Sequence, residues 1–407
     1  MISRVIFILN YPIRQQEYNF LGIDLLARNK YNVEIWNLMP LINPEVFRHQ
    51  GDVTEVGLVV NKYRLITTKE DFENRISKLG SNDFLFPLIG CTRKTYFVYR
   101  AITKKKLRYG NDISSFEFSF KNNGGETVDL LIRLRKVTFK KILTRIKWTA
   151  TRCLDSGFLF VRPYIVSPPN FIVRAGNKSL GFVKIYNIHV GSYTTTLLAH
   201  NIDYDFYLLQ KDKPKWSHNK NIVVFLDGDY CFHPNYIRSN YKSGATPNIY
   251  FPELCAFFRK IESRWDVEVI IAKHPRGGNE YEHKDYFEGR RTMSHRTPEL
   301  VANSQFVILH SSLSFNYAVL FKKPAIFIIT EQLKTGPDAA YINNQAAYFG
   351  KKPVNISNQK EVSEFLKEGQ LVIDEKIYNT YKDNGIKTPG AQELSRWEII
   401  IDYLKML

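Results

Sequence analysis

Short apolar runs, many rich in Val, Ile and Phe, recur along the chain, each closed by polar or turn-forming residues. Val267–Ala272 (VEVIIA) has the length and β-branched content of a strand buried in a parallel sheet. It stops at Lys273-His274-Pro275-Arg276-Gly277-Gly278, a cationic turn with no helix-forming tendency. Thr297-Pro298-Glu299 reads as a helix start, with Thr297 as N-cap and Pro298 at the first helical position. Gln305–His310 predicts a second buried strand, Phe315–Phe321 a helix and Pro324–Ile329 a third strand, with Ser311, Ser312 and Ser314 between strand and helix. This β–turn–α–β–serine loop–α–β order is half of a doubly wound α/β domain, where ligands bind at the carboxyl ends of the strands.

The first half of the chain carries weaker signals of the same kind. Arg4–Leu9 predicts a strand, followed by a loop over Tyr11–Tyr18, a helix reaching Lys30, a second strand Asn32–Trp36 and a loop over Leu38–Pro44. No GxGxxG fingerprint follows the first strand, which excludes a dinucleotide-binding half of the usual kind. Asp83–Ile89 and Phe97–Arg100 suggest further strand–turn units, and Asn170–Ala175 a strand ended by Gly176. His200–Tyr207 reads as the close of a first domain, the polar stretch Lys211–Lys220 with Pro214 as a linker, and Asn221–Leu226 as a fresh strand. Glu393, Leu394, Trp397, Ile400, Tyr403 and Leu404 fall at helical spacing, so Ala391–Leu407 predicts a terminal helix. The expected division is therefore 1–205, a linker over 206–220, a second domain over 221–388 and a final helix over 389–407.

Composition narrows the class. A chain of 407 residues exceeds one ordinary core, so two domains are expected. Cys91, Cys153, Cys231 and Cys255 lie far apart with no CxxC pair, which argues against a zinc site or a disulfide framework and fits a reducing cytoplasm. MISRVIFILN is too short for a signal peptide, and no apolar run approaches the roughly 20 residues that span a bilayer. The net charge of +17 favours anionic partners. Without an RNP, KH or zinc-finger pattern, nucleic acid is not an expected partner. Val137–Ala150 (VTFKKILTRIKWTA) interleaves cations with apolar residues at near-helical spacing. It reads either as a surface helix packed on its domain or as a basic amphipathic helix on an anionic membrane face.

Candidate chemistry sits at the strand ends. Asn221–Leu226 runs into Asp227-Gly228-Asp229-Tyr230-Cys231-Phe232-His233-Pro234. A carboxylate at a strand terminus beside a glycine can meet a ligand without burying its charge, which suits a general base acting on a sugar hydroxyl. The same tripeptide is also a common solvated turn. A calcium loop would need the downstream glutamate of an EF-hand, which is lacking. His274 gains weight from Lys273 and Arg276 beside it and from the serine loop one βαβ unit later. Serine hydroxyls and free backbone N–H groups where a helix opens can bind phosphate.

The segments VVFLDGDYCFHPNY, VIIAKHPRGG, RTPELVANSQFVILHSSLSFNYAVLFKKPAIF and HNIDYDFYLL resemble bacterial GT-B glycosyltransferases. They are most similar to surface-polysaccharide transferases that use CMP-activated nine-carbon acid sugars such as sialic, pseudaminic or legionaminic acid. The shared motifs are an acidic-Gly pair (Asp227-Gly228), a His-Pro pair (His274-Pro275) and a Ser/Thr pair (Ser311-Ser312). The resemblance covers Asn201–Thr330 and is weak in the first half. It implies an α/β GT-B fold of two Rossmann-like domains facing a cleft, the first binding the acceptor and the second the nucleotide sugar, with the last helix crossing back to the first domain. It also implies Asp227 as general base, His274 as the group assisting departure of the nucleotide phosphate, and a donor-binding set of Lys273, Pro275, Arg276, Gly277, Thr297, Ser311, Ser312 and Ser314. Many members carry two acids before the glycine where this chain has Leu226-Asp227, so Asp229 stays open as the base. His233-Pro234 is a second His-Pro pair and keeps His233 open as the histidine that meets the donor.

The expected protein is thus an inverting transferase that needs no metal or cofactor. It would move a nine-carbon acid sugar from its CMP donor to an oligosaccharide or lipid-linked glycan in lipopolysaccharide, O-antigen or capsule synthesis. It would be cytoplasmic and peripheral on the inner membrane, with an anionic membrane surface as a further partner. The alternatives are a GT-B transferase using CMP-Kdo or a UDP- or GDP-sugar, and a non-catalytic membrane-associated protein that binds sugar nucleotides.

Overall fold

The computed structural model describes residues 1–51, 54, 63–114, 154, 157–158, 160–181, 188, 190–216, 221–233, 244–274, 284–369 and 371–407. The stretch Val137–Ala150 lies outside them, as do Pro275, Arg276, Gly277 and Pro234. The described residues from Met1 to Ile202 and from Lys387 to Leu407 form one compact unit, and those from Asp203 to Ile386 a second.

The first unit is built on a parallel sheet ordered β3-β2-β1-β4-β5-β6-β7. Its strands are β1 (Arg4–Leu9), β2 (Asn32–Asn37), β3 (Tyr63–Leu65), β4 (Asp83–Pro87), β5 (Arg108–Asp112), β6 (Phe171–Ala175) and β7 (Thr195–Ala199). Val5 to Leu9 and Phe84 to Phe86 are all buried, as expected of central strands covered on both faces. Phe97–Arg100 is not a strand: it falls inside the helix Tyr96–Lys104, which buries Val98, Tyr99 and Ile102. Those three positions recur at helical spacing, and that period overrides the strand preference of a short aromatic run. The expected loop Leu38–Pro44 likewise holds the short helix Met39–Ile42, with Pro40 in its first turn.

The expected loop Tyr11–Tyr18 already turns helical at Gln15, and the expected helix reaching Lys30 is two helices, Gln15–Phe20 and Ile23–Arg28, broken at Gly22. Gly22 has φ +58°, and a Cβ there would come within 2.2 Å of the Trp397 ring. The break exists because the terminal helix, Arg396–Met406, packs against it. That helix opens with a capping box in which Ser395 and Glu398 satisfy each other's backbone N–H. It then buries Trp397, Ile400, Ile401 and Leu404 in the same core as Phe7, Phe86 and Phe171. The last helix therefore returns to the first unit.

The second unit is built on a parallel sheet ordered β10-β9-β8-β11-β12-β13. Its strands are β8 (Asn221–Leu226), β9 (Val267–Ala272), β10 (Thr292–Met293), β11 (Ser304–Leu309), β12 (Ala325–Ile329) and β13 (Val354–Asn355). The helix Pro247–Trp265 covers one face with Tyr250, Phe251, Leu254, Phe257, Phe258 and Ile261. Both units are thus doubly wound α/β structures. No helix among the described residues is long and apolar enough to cross a membrane.

Candidate active site at the strand-order reversal of the second sheet

In the second sheet β8, β9 and β10 step outward one way, while β11, β12 and β13 step outward the other. The order reverses between β8 and β11, and the crevice beyond the carboxyl ends of two such strands is where doubly wound folds bind ligands. Registers Leu226↔Ala272 and Leu226↔Leu309 level the three central strands. Asp227, Lys273 and His310 are therefore the first residues past β8, β9 and β11.

The loop after β8 is tightly shaped. The Asp229 N–H donates to Asp227 Oδ1 at 2.9 Å. Asp229 adopts the left-handed φ of +53°. Its carbonyl accepts the N–H groups of Phe232 at 3.2 Å and His233 at 2.9 Å. This turn delivers His233 to His274, beyond β9: the two imidazole rings lie 4.7 Å apart at 66°. Two histidines that the sequence placed on separate loops thus form one pair. Contrary to both expectations for this loop, an unburied charge or a solvated turn, the two aspartates are buried, Asp227 at 4% exposure and Asp229 completely. Gly228 is needed for close approach, since a Cβ there would come within 2.5 Å of the Tyr230 ring.

Tyr230 bridges the reversal itself. Its hydroxyl lies 2.6 Å from Ser311 Oγ, tying the loop after β8 to the loop after β11. Burial pushes the Tyr230 phenol up, with the Ser311 bond opposing, so the group is a neutral hydroxyl. His310 packs edge-on against Tyr230, with ring centroids 5.1 Å apart. Its Nδ1 lies 2.8 Å from the Ile328 carbonyl, an acceptor, so Nδ1 carries the proton and Nε2 is left with a lone pair. Burial lowers the His310 pKa to about 4, against the pull of that carbonyl, and the ring is neutral.

The serine loop is built differently from its expectation. Gln345, fully buried in the helix Ala339–Tyr348, grips Ser312 twice. Its Oε1 accepts the Ser312 N–H at 3.0 Å, and its Nε2 donates to the Ser312 carbonyl at 3.0 Å. The Ser314 N–H donates to Ser312 Oγ at 3.1 Å. The N–H groups of Phe315, Asn316 and Tyr317 find the carbonyls of Ser312, Leu313 and Ser314. The amides of Ser312, Ser314, Phe315, Asn316 and Tyr317 are therefore engaged within the protein, and the helix that follows, Phe315–Leu320, has six residues. Hydroxyls remain. The Ser312 oxygen already accepts a backbone N–H, which leaves its own hydrogen to be donated outward.

Behind the loop, Asn316 donates to Asp203 Oδ2 at 2.6 Å and accepts from the Tyr381 hydroxyl at 2.8 Å. Burial raises the Asp203 pKa while its bonds to Asn316 and Tyr317 lower it. Thr297 stands apart and is not the N-cap expected of it: Arg296 holds that position without a side-chain cap bond, Thr297 is the first and Pro298 the second residue of the helix Thr297–Asn303, and the helix follows the edge strand β10. Trp216 is packed on the same helix, its N–H 2.7 Å from Asn303 Oδ1 and its Nε1 3.0 Å from Glu299 Oε1. Among the described residues no group of three or more His, Cys, Asp or Glu side chains is placed to hold a metal ion.

Sequence reasoning missed Tyr230, Gln345 and Asp203. Tyr230 had a signal, since it lies in the Asp-Gly-Asp-Tyr run and its ring explains the glycine. Gln345 had none, being the last of three consecutive amide residues, Asn343, Asn344 and Gln345, on its helix.

No family model matches the chain, and no curated protein does. Solved structures align along its length at low identity. UDP-GlcNAc 2-epimerase from Methanocaldococcus jannaschii is 13% identical, with TM-score 0.48, over 99% of this chain and 100% of that one. The UDP co-structure of MnaA from S. aureus is 12% identical, with TM-score 0.44, over 100% and 98%. The calicheamicin glycosyltransferase CalG4 is 9% identical, with TM-score 0.44, over 100% and 98%. Likeness at this level leaves function to be read from the chain's own residues.

Proposed function

We propose that the chain is an inverting GT-B glycosyltransferase that moves a nine-carbon acid sugar from its CMP donor to a hydroxyl of an oligosaccharide or lipid-linked glycan. The observation that carries the reading is the meeting of His233 and His274 at 4.7 Å beside the Asp227 loop, at the strand-order reversal of a doubly wound sheet. A cationic and imidazole-rich crevice suits a nucleotide phosphate, and one carboxylate beside it suits an acceptor hydroxyl.

In this reading Asp227 takes the proton of the acceptor hydroxyl. The freed oxygen forms its bond to the anomeric carbon from the face opposite the nucleotide. The bond from that carbon to the phosphate oxygen breaks, and its electron pair leaves on CMP. The sugar's own carboxylate lies next to the developing oxocarbenium charge and stabilises it. His274, with Lys273 and the Ser312 and Ser314 hydroxyls, neutralises the departing phosphate, so protein donors serve where other transferases use a metal. We assign the base to Asp227 rather than Asp229 because Asp229 is consumed in turn shape: it holds φ +53° and its carbonyl accepts two N–H groups. The first unit is assigned the acceptor.

Thermal-shift titration with CMP, UDP and GDP tests the donor class, because a ligand that binds only the native state raises the melting temperature. CMP should raise it, and His274→Ala should remove most of the effect. A shift with UDP or GDP alone would move the donor to another class, and no shift with any of the three would end the sugar-nucleotide reading.

A further inference from the structure

The first unit exposes four large apolar side chains on one short helix, at 160–165. Phe160 is 77% exposed, Tyr164 82%, Val161 47% and Ile165 36%. Positions i, i+1, i+4 and i+5 share one helical face, so this is a stripe and not scatter. A stripe of this kind on a surface calls for an occupant.

Its surroundings say what that occupant is. The segment runs beside the helix Tyr96–Lys104 in the same direction. The Tyr96 and Phe158 rings lie 5.4 Å apart at one end, and the Ser167 N–H donates to Thr103 Oγ1 at 2.9 Å at the other. Lys104, Lys105 and Lys106, all exposed, emerge beside Ser167, and Arg100 is exposed one turn earlier. The sequence holds no Asp or Glu from Phe84 to Asn111, nor from Gly157 to Ile202. The two segments therefore border the apolar rings with cations and supply no carboxylate of their own.

We infer that this face of the first unit rests on an anionic lipid surface. Phe160, Val161, Tyr164 and Ile165 enter the interfacial layer, and Lys104–Lys106 and Arg100 pair with acidic headgroups. Amphipathic helices bind lipid through this combination of buried apolar area and attraction to anionic headgroups. A second copy of the chain fits less well, because a two-fold contact here would set the same cations against one another. The inference does not rest on the transferase reading, and its test involves no turnover.

The test is co-sedimentation of the full chain with phosphatidylcholine vesicles, with and without phosphatidylglycerol. Binding should require phosphatidylglycerol and fall steeply as salt rises. Phe160→Ser with Tyr164→Ser should weaken it about a hundredfold, at about tenfold for each ring withdrawn from the interface. The melting temperature should stay unchanged, because both rings are exposed. Lys104→Glu with Lys105→Glu should weaken binding while leaving the fold intact. Equal binding to neutral vesicles would overturn the inference. So would wild-type binding by the Phe160/Tyr164 variant, which would assign the attraction to another basic stretch. A solution dimer that the same variant dissociates, with vesicle binding untouched, would place a second copy on this face instead.

Discussion

The imidazole rings of His233 and His274 stand 4.7 Å apart, one carried on the turn that Asp229 shapes and the other at the end of β9. Neither histidine is legible as half of a pair in the sequence, where 40 residues separate them. The contact means that a phosphate held by one ring lies within the field of the other. His233→Ala and His274→Ala should each weaken CMP binding. Measured by calorimetry as a double-mutant cycle, they should couple by roughly 0.5–3 kcal/mol, as side chains in contact do. Purely additive effects would show that only one of them meets the donor.

Ser312 and its clamp give a second expectation. Ser312→Ala removes a hydroxyl whose bond to a charged phosphate is worth roughly 1.5–3 kcal/mol, so CMP affinity should fall about tenfold or more. Gln345→Ala leaves the half-buried Ser312 amide without its partner, while the carbonyl keeps the Phe315 N–H, which should cost about 1 kcal/mol of stability and weaken CMP binding too. Urea unfolding and CMP titration of both variants separate the roles. Ser312→Ala should change mainly affinity, and Gln345→Ala both.

His310 makes the second unit sensitive to acid. Its folded pKa lies near 4, below the ordinary value of 6.5, so the unfolded chain binds the extra proton between those two values. Stability therefore rises with pH across that window, is fully present above about 6.5, and is lost progressively toward 4. The full contribution is on the order of 3 kcal/mol. His310→Asn should flatten this part of the profile. Unfolding free energies of both proteins between pH 4 and 7 provide the check, and parallel profiles would refute the assignment.

Arg396 fastens the last helix. Its buried guanidinium lies 2.9 Å from Asp112 Oδ2 and 2.8 Å from Ser114 Oγ, donates to the Phe20 carbonyl, and sits 4.0 Å from the centroid of the Phe20 ring. Arg396→Met leaves the Asp112 charge buried and alone, which should cost about 3–5 kcal/mol. Adding Asp112→Asn should recover part of that loss, because no charge then remains. Equilibrium unfolding of the single and double variants measures both steps.

The four central strands of the second unit, β8, β9, β11 and β12, were legible nearly to the residue, because β-branched runs closed by Gly, Pro or polar turns have few other readings; the two-residue edge strands β10 and β13 were not. Helix and strand were confused at Phe97–Arg100, where four residues are too few to distinguish the two periods. The break at Gly22 was illegible because its cause, Trp397, lies at the other end of the chain. In the candidate site the same division holds. Asp227, His274 and the serines stand at the ends of apolar runs, where a pattern can point to them. The grip of Gln345 on Ser312 and the pairing of His233 with His274 arise only when loops from different strands are brought together. The serine loop also shows that composition alone misleads: three serines suggested free amides, and the fold uses those of Ser312 and Ser314 internally.

In the proposed transfer Asp227 is the base that activates the acceptor. Turnover and CMP affinity of Asp227→Asn and Asp229→Asn, measured with a CMP-activated nine-carbon acid sugar, test it most directly. Asp227→Asn should lower turnover by roughly 10²–10⁴-fold with nearly unchanged CMP affinity, since the base touches the acceptor and not the nucleotide. Asp229→Asn keeps the left-handed φ, the N–H and the carbonyl that shape the turn, so it should leave turnover and CMP affinity near normal. Near-normal turnover in Asp227→Asn would contradict the account: with Asp229→Asn inactive the base would be the other carboxylate, and with both active the transfer mechanism itself would be wrong.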